Sequence, residues 1–149
     1  MTIWLDGDAA PRAVKEIVFR AATRRQVPVV MVANRWQQVP RSTWIKMVVV
    51  EGGLDRADEH IVEQLAAGDL VITADIPLAA DAVANGATIL RFRGEILDKS
   101  NVKQRLAVRD LMDDLRGAGV QTRGPAPFGQ KDGQRFANAL DRWLTRNQR

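Results

Sequence analysis

Short apolar runs alternate with amphipathic stretches along the first two thirds of the chain, and each change of period marks an expected element. Residues 2 to 6 (TIWLD) are apolar and rich in strand formers, so they read as a first strand. Pro11 follows at a first helical position, and Val14, Ile17, Val18 and Ala21 repeat at the spacing of one helical face. That helix should run to about Arg25. Residues 27 to 33 make a second strand and 45 to 50 a third, joined by a polar segment that is short for a parallel crossover.

After Gly52 and Gly53, Asp55 and Asp58 resemble a helix start, with a capping residue and an acid in the first turn. The helix would bury Ile61, Val62 and Leu65 and stop at Gly68. Residues 69 to 73 form a fourth strand, Pro77 opens a short helix ending near Gly86, and 87 to 92 form a fifth strand. From there the period is helical. Ser100 can cap a helix whose Val108, Leu111, Met112 and Leu115 share a face, and a last helix buries Phe136, Leu140, Trp143 and Leu144. The Gly- and Pro-rich segment 121 to 132 between them reads as a loop.

This order predicts an α/β fold, a three-layer sandwich around a mostly parallel five-stranded sheet, with two C-terminal helices. With 149 residues it is expected to be one domain, residues 1 to 149, large enough to bury roughly 70% of its unfolded surface. No repeat or low-complexity tract interrupts it. The absence of cysteine excludes disulfides, thiolate zinc sites and cysteine nucleophiles. The start has neither the basic stretch nor the long apolar region of a signal peptide, and no apolar run approaches a membrane span, so a cytoplasmic location is expected.

Charge divides the chain. Residues 1 to 85 hold 9 Lys and Arg against 11 Asp and Glu, whereas 86 to 149 hold 13 against 7. An acidic site beside a basic surface suits a polyanion, although charge of this size also serves solubility. Arginine makes up 17 of the 22 basic residues, and its planar fork grips phosphate or carboxylate with two hydrogen bonds.

The acidic candidates sit at strand ends. Asp6 and Asp8 follow the first strand, Asp75 follows the fourth, and each turn leads through a proline into a helix. If the two strands are parallel neighbours, their carboxylates converge where α/β proteins place their chemistry. Asp81 and Asp58, or Glu59, can complete the cluster. Clustered carboxylates repel unless a cation joins them, and Mg²⁺ or Mn²⁺ takes such oxygen ligands. Each aspartate also has a plainer role open to it, capping a helix.

Among the basic residues, Arg93 beside Gly94 falls at the expected active edge and is the preferred phosphate contact. Arg109 and Arg123 are further candidates, Arg109 with an ion pair to Asp110 as its structural alternative and Arg123 on the long loop. Trp36 and Trp44 can stack on bases or pack over the sheet edge. His60, the sole histidine, reads as a surface residue, and Ser42 and Thr43 have no histidine nearby to support a triad.

Several motifs together resemble one family. They are Asp6-x-Asp8-Ala9-x-Pro11, Glu16-Ile17-x-Phe19-Arg20-Ala21-Ala22, Val32-Ala33-Asn34, Ala57-Asp58 and the run from Gly68 to Ala79, followed by Arg93-Gly94, Arg109-Asp110, Gly124-Pro125 and Phe136-Ala137-Asn138-x-Leu140-Asp141-Arg142. From Ile3 to Leu144 the chain resembles the YaiI/YqxD family of uncharacterised bacterial proteins, grouped with the PIN-like nuclease superfamily. The resemblance implies strand order 3-2-1-4-5 and an acidic pocket holding a divalent metal for phosphodiester hydrolysis. By position it implies Asp6, Asp75 and Asp58 as the catalytic acids, with Asp81 the least secure match. The family pattern places cysteine at position 10, where this chain has Ala10.

Three readings follow: a metal-dependent nuclease or other phosphodiesterase acting on RNA or another nucleic acid, with Asp6, Asp8, Asp75 and Asp81 as metal ligands; a non-catalytic RNA- or nucleotide-binding module of the same fold; and a phosphatase that attacks phosphorus through the first Asp of strand-Asp-x-Asp. The third lacks a matching lysine and has Ala10 where Thr or Val is usual.

Overall fold

A computed structural model describes residues 1 to 121, 124 and 126 to 148, Leu54 by its backbone alone. Strand β1 (Ile3–Asp6) leads to helix α1 (Arg12–Arg25), and β2 (Val29–Ala33) and β3 (Ile45–Val49) follow without a helix between them. Then come α2 (Leu54–Gln64), β4 (Leu70–Ile72), α3 (Ile76–Ala84), β5 (Thr88–Leu90) and β6 (Ile96–Leu97). Helices α4 (Val102–Gly117) and α5 (Gln130–Asn147) complete the chain.

The sheet order is β3-β2-β1-β4-β5-β6, so the expected order of the first five strands holds and their number does not. Strands β1 to β5 are parallel, and β6 is added antiparallel to β5 through the pairs Ile89 with Leu97 and Leu90 with Ile96. Two residues are too few to show a period of two, which is why the sequence did not reveal the sixth strand. Because β1 lies between β2 and β4, the chain reverses its winding at β1/β4. A crevice opens at such a switch point, beyond the carboxyl ends of the strands.

Alternation along β1 explains the layers. Ile3 and Leu5 join Val29, Met31, Leu70 and Ile72 in a core beneath α1 and α5, whereas Trp4 points the other way, with Val71, Ile89, Ile61 and Leu78, toward α2 and α3. The next residue in that second set is Asp6. The acid is thereby committed to the α2/α3 face before any tertiary contact is considered.

Helix boundaries differ from expectation where polar side chains found other partners. Asp55 lies inside the first turn of α2, whose capping position is Gly53. Ser100 precedes α4 and hydrogen-bonds Asp98 through both its backbone N–H and its hydroxyl, while Asn101 takes the capping position. Val108, Leu111 and Met112 do lie along one side of α4, but that side is open to solvent; the helix is anchored by Val102 and Leu106. No helix among the described residues is long and apolar enough to cross a membrane.

Candidate active site at the carboxyl edge of the sheet

Asp6 ends β1 and is 7% exposed. Its Oδ2 accepts a hydrogen bond of 2.9 Å from the Thr73 hydroxyl, and the same hydroxyl oxygen accepts the Asp75 backbone N–H at 3.0 Å. One buried threonine therefore ties the ends of β1 and β4 together. The Thr73 hydroxyl, which both donates and accepts, fixes the geometry of the two strand ends. Asp75 caps α3, accepting the Leu78 N–H at 2.9 Å, with Pro77 preset in the first turn. The capping role open to Asp75 is realised, and the same residue borders the acidic cavity.

Asp58 comes from α2 and meets Asp75 side chain to side chain. Its pKa is pushed up to about 7, first by loss of hydration, then by the charges of Asp75 and Asp6, and by donating its proton to Asp75. Asp6 is also raised, chiefly by burial and further by Asp8 and Asp75, with the Thr73 hydrogen bond opposing the shift. Near neutral pH the three carboxyls from β1, α2 and the start of α3 therefore hold a proton that isolated aspartates would not.

The remaining predicted residues spread around this centre. Asp81 is exposed and lines the same acidic cavity of about 580 Å³ as Asp55, Asp58, Glu59, Asp75 and Arg109. Asp8 is exposed and accepts the Asn34 backbone N–H at 2.8 Å, bracing the turn after β2 rather than capping α1. Arg109 pairs with Asp110 at 3.0 Å and Asp113 at 3.3 Å, yet it also borders the acidic cavity and the neighbouring one lined by Arg91, Arg105 and Arg116. Arg93 stands apart: it pairs with Asp132 at 2.9 Å and lies over the Phe128 ring at 5.7 Å, beside a different groove. Arg123 lies outside the described residues. Trp36 is exposed, Trp44 packs on the α1-side core, and His60 meets Trp4 edge to face with ring centroids 6.4 Å apart.

The sequence profile of the uncharacterised YaiI/YqxD family matches residues 4–146, and so takes in every element from β1 to the last turn of α5. The chain belongs to the YaiI/YqxD family. Its relatives include the UPF0178 proteins of Shewanella amazonensis, 54% identical over 98% of both chains, and of Cellvibrio japonicus, 53% identical over 100% of this chain and 99% of that one. The UPF0178 protein of Klebsiella pneumoniae is 53% identical over 97% and 95% of the two chains. No solved structure matches the chain.

The donor set of this YaiI/YqxD protein is all oxygen, which suits Mg²⁺ or Mn²⁺ rather than a soft metal. Among the described residues, no three acids or imidazoles surround a single point as a ready-made cage. Magnesium does not need one. It commonly binds through one or two carboxylates and keeps waters or substrate phosphate for its other positions. Asp58 and Asp75 are two neighbouring carboxyls of this kind.

Proposed function

We propose that this protein is a divalent-metal-dependent phosphodiesterase that cuts RNA or another nucleic acid. The observation that carries the reading is the meeting of Asp6, Asp58 and Asp75 at the β1/β4 switch point, bordered by Arg109. Asp58 and Asp75 would hold Mg²⁺ or Mn²⁺, with Asp6 behind them and Asp8 and Asp81 at the periphery. When bound, the metal would supply an activated water and charge neutralisation at the departing oxygen. Asp58 would serve as a ligand once the cation displaces its proton, and Asp6 holds Thr73 and so the position of Asp75. Arg109, which lines both the acidic and the basic cavity, would meet a phosphate oxygen there.

Asp58→Asn and Asp75→Asn should each lower Mn²⁺-dependent cleavage of single-stranded RNA by about a hundredfold or more. Cleavage by both at the wild-type rate would remove the proposal. The lack of a preformed three-ligand cage favours a second reading, a binding module with this fold and no turnover. RNA binding without cleavage under any divalent metal would select it. A phosphatase attacking through Asp6 fits poorly, because that carboxylate is buried and engaged by Thr73.

A further inference from the structure

A groove of about 500 Å³ runs between α5 and the β5–β6 turn and shares no residue with the acidic cavity. Arg135, Arg142 and Arg146 line it from α5, at intervals of seven and four residues, and therefore on one side of the helix. Arg93 and Glu95 face them from the turn. The charges are not self-cancelling. Glu95 is engaged by Arg91 and Arg105, Arg135 reaches only a distant contact of 4.0 Å with Asp132, and Arg142 and Arg146 have no ion-pair partner among the described residues.

Between the arginines lies Trp143, whose indole is half-buried, packed inward against the α1-side core and bordering the groove. From Arg135 to Arg146 the helix rises about 16 Å. One small anion cannot serve all three α5 arginines at that distance, whereas a chain of phosphates can. An aromatic surface set among cations is the arrangement that grips a single strand, its backbone on the charges and its base on the ring.

We propose that this groove binds the sugar-phosphate backbone of a single-stranded nucleic acid, with a base stacked on Trp143, as a second site that holds the strand away from the acidic cavity. The proposal rests on the nucleic-acid reading above but not on cleavage. It is therefore tested on Asp75→Asn protein, by fluorescence anisotropy of labelled oligouridine in EDTA over a range of salt. Arg142→Glu with Arg146→Glu should weaken binding by roughly thirtyfold and flatten the plot of log affinity against log salt by about 1.4, as for two lost phosphate contacts. Trp143→Leu should weaken it by roughly tenfold.

Arg41→Glu with Lys46→Glu, the same charge change at exposed positions far away by β3, should do little by comparison. Equal loss in that control, or wild-type binding by Arg142→Gln with Arg146→Gln, would overturn the proposal. So would duplex RNA binding as tightly as the single strand, or displacement of the oligonucleotide by polyglutamate of equal charge, which would assign the groove to acidic peptides. Cleavage is assayed in parallel on chains with Asp75 intact. Loss of binding without any wild-type cleavage defeats only the enzymatic reading; wild-type cleavage with unchanged KM in the Arg142/Arg146 variant defeats only the groove.

Discussion

Two buried aspartates stand at opposite ends of the sheet and have opposite surroundings. Asp69, just before β4, is 5% exposed and accepts the Thr2 and Ala66 backbone N–H groups and the Trp4 indole N–H, at 2.9, 2.9 and 3.0 Å. Asp6 is 7% exposed, yet its side chain is offered the Thr73 hydroxyl and a turn N–H while Asp8, Asp58 and Asp75 crowd it with negative charge. Burial and residue type are the same. The difference is that donors surround one acid and acids surround the other, so Asp69 pins the fold whereas the Asp6 cluster is left short of positive charge.

That contrast breaks most readily through stability. Asp69→Ala would orphan three donors, one an indole N–H in the core, and should cost about 4 kcal/mol, lowering Tm by roughly 12 °C. Asp6→Asn keeps an acceptor for Thr73 and removes a repelling charge, so urea denaturation at pH 8 should show stability within about 1 kcal/mol of wild type, or above it. Comparable losses in both proteins would erase the distinction.

The cluster's shortage of positive charge can be met by a cation. Mn²⁺ at about a hundred times its Kd should stabilise the wild type by about 2.7 kcal/mol and leave Asp58→Asn nearly unmoved in thermal melts. Without metal, pH should act in its place. Folded Asp58 titrates near 7 and unfolded aspartate near 4, so between those values the folded state binds the extra proton and stability falls as pH rises. The raised Asp6 adds in the same direction. Asp58→Asn should flatten that slope and raise Tm by about 3 °C at pH 8 but not at pH 4, a modest shift because the group is partly solvated. A wild-type stability that rises between pH 4 and 7 would contradict the cluster's charge state.

The smallest effect is expected at Arg93. Arg93→Ala removes the bridge to Asp132 and the hydrogen bond to the Ala126 carbonyl, and should cost about 1 kcal/mol in urea denaturation while leaving the metal response intact. A lost Mn²⁺ shift would place Arg93 in the acidic site after all.

The succession of strands and helices and the carboxyl-edge acids were legible because they rest on local signals, apolar runs and Pro after Asp, whereas the strand order came only through the family resemblance. Asp58 was legible as a helix-start acid able to complete the cluster, but its contact with Asp75 depends on how α2 crosses the sheet. Arg93 was expected at the acidic edge because its strand end was visible in sequence, whereas Asp132, with which it pairs, comes from a helix beyond the long loop. The groove on α5 left no trace at all. Arginines spaced by seven and four on a helix's polar side look like a solvated surface until the β5–β6 turn is seen facing them.

Gly94 forms the turn at φ +99°, and a Cβ there would come within 2.9 Å of the Arg135 carbonyl oxygen. No side chain can enter without levering the hairpin away from α5. A single methyl group at position 94 should therefore widen the space between the hairpin and α5 even with every arginine of the groove left in place.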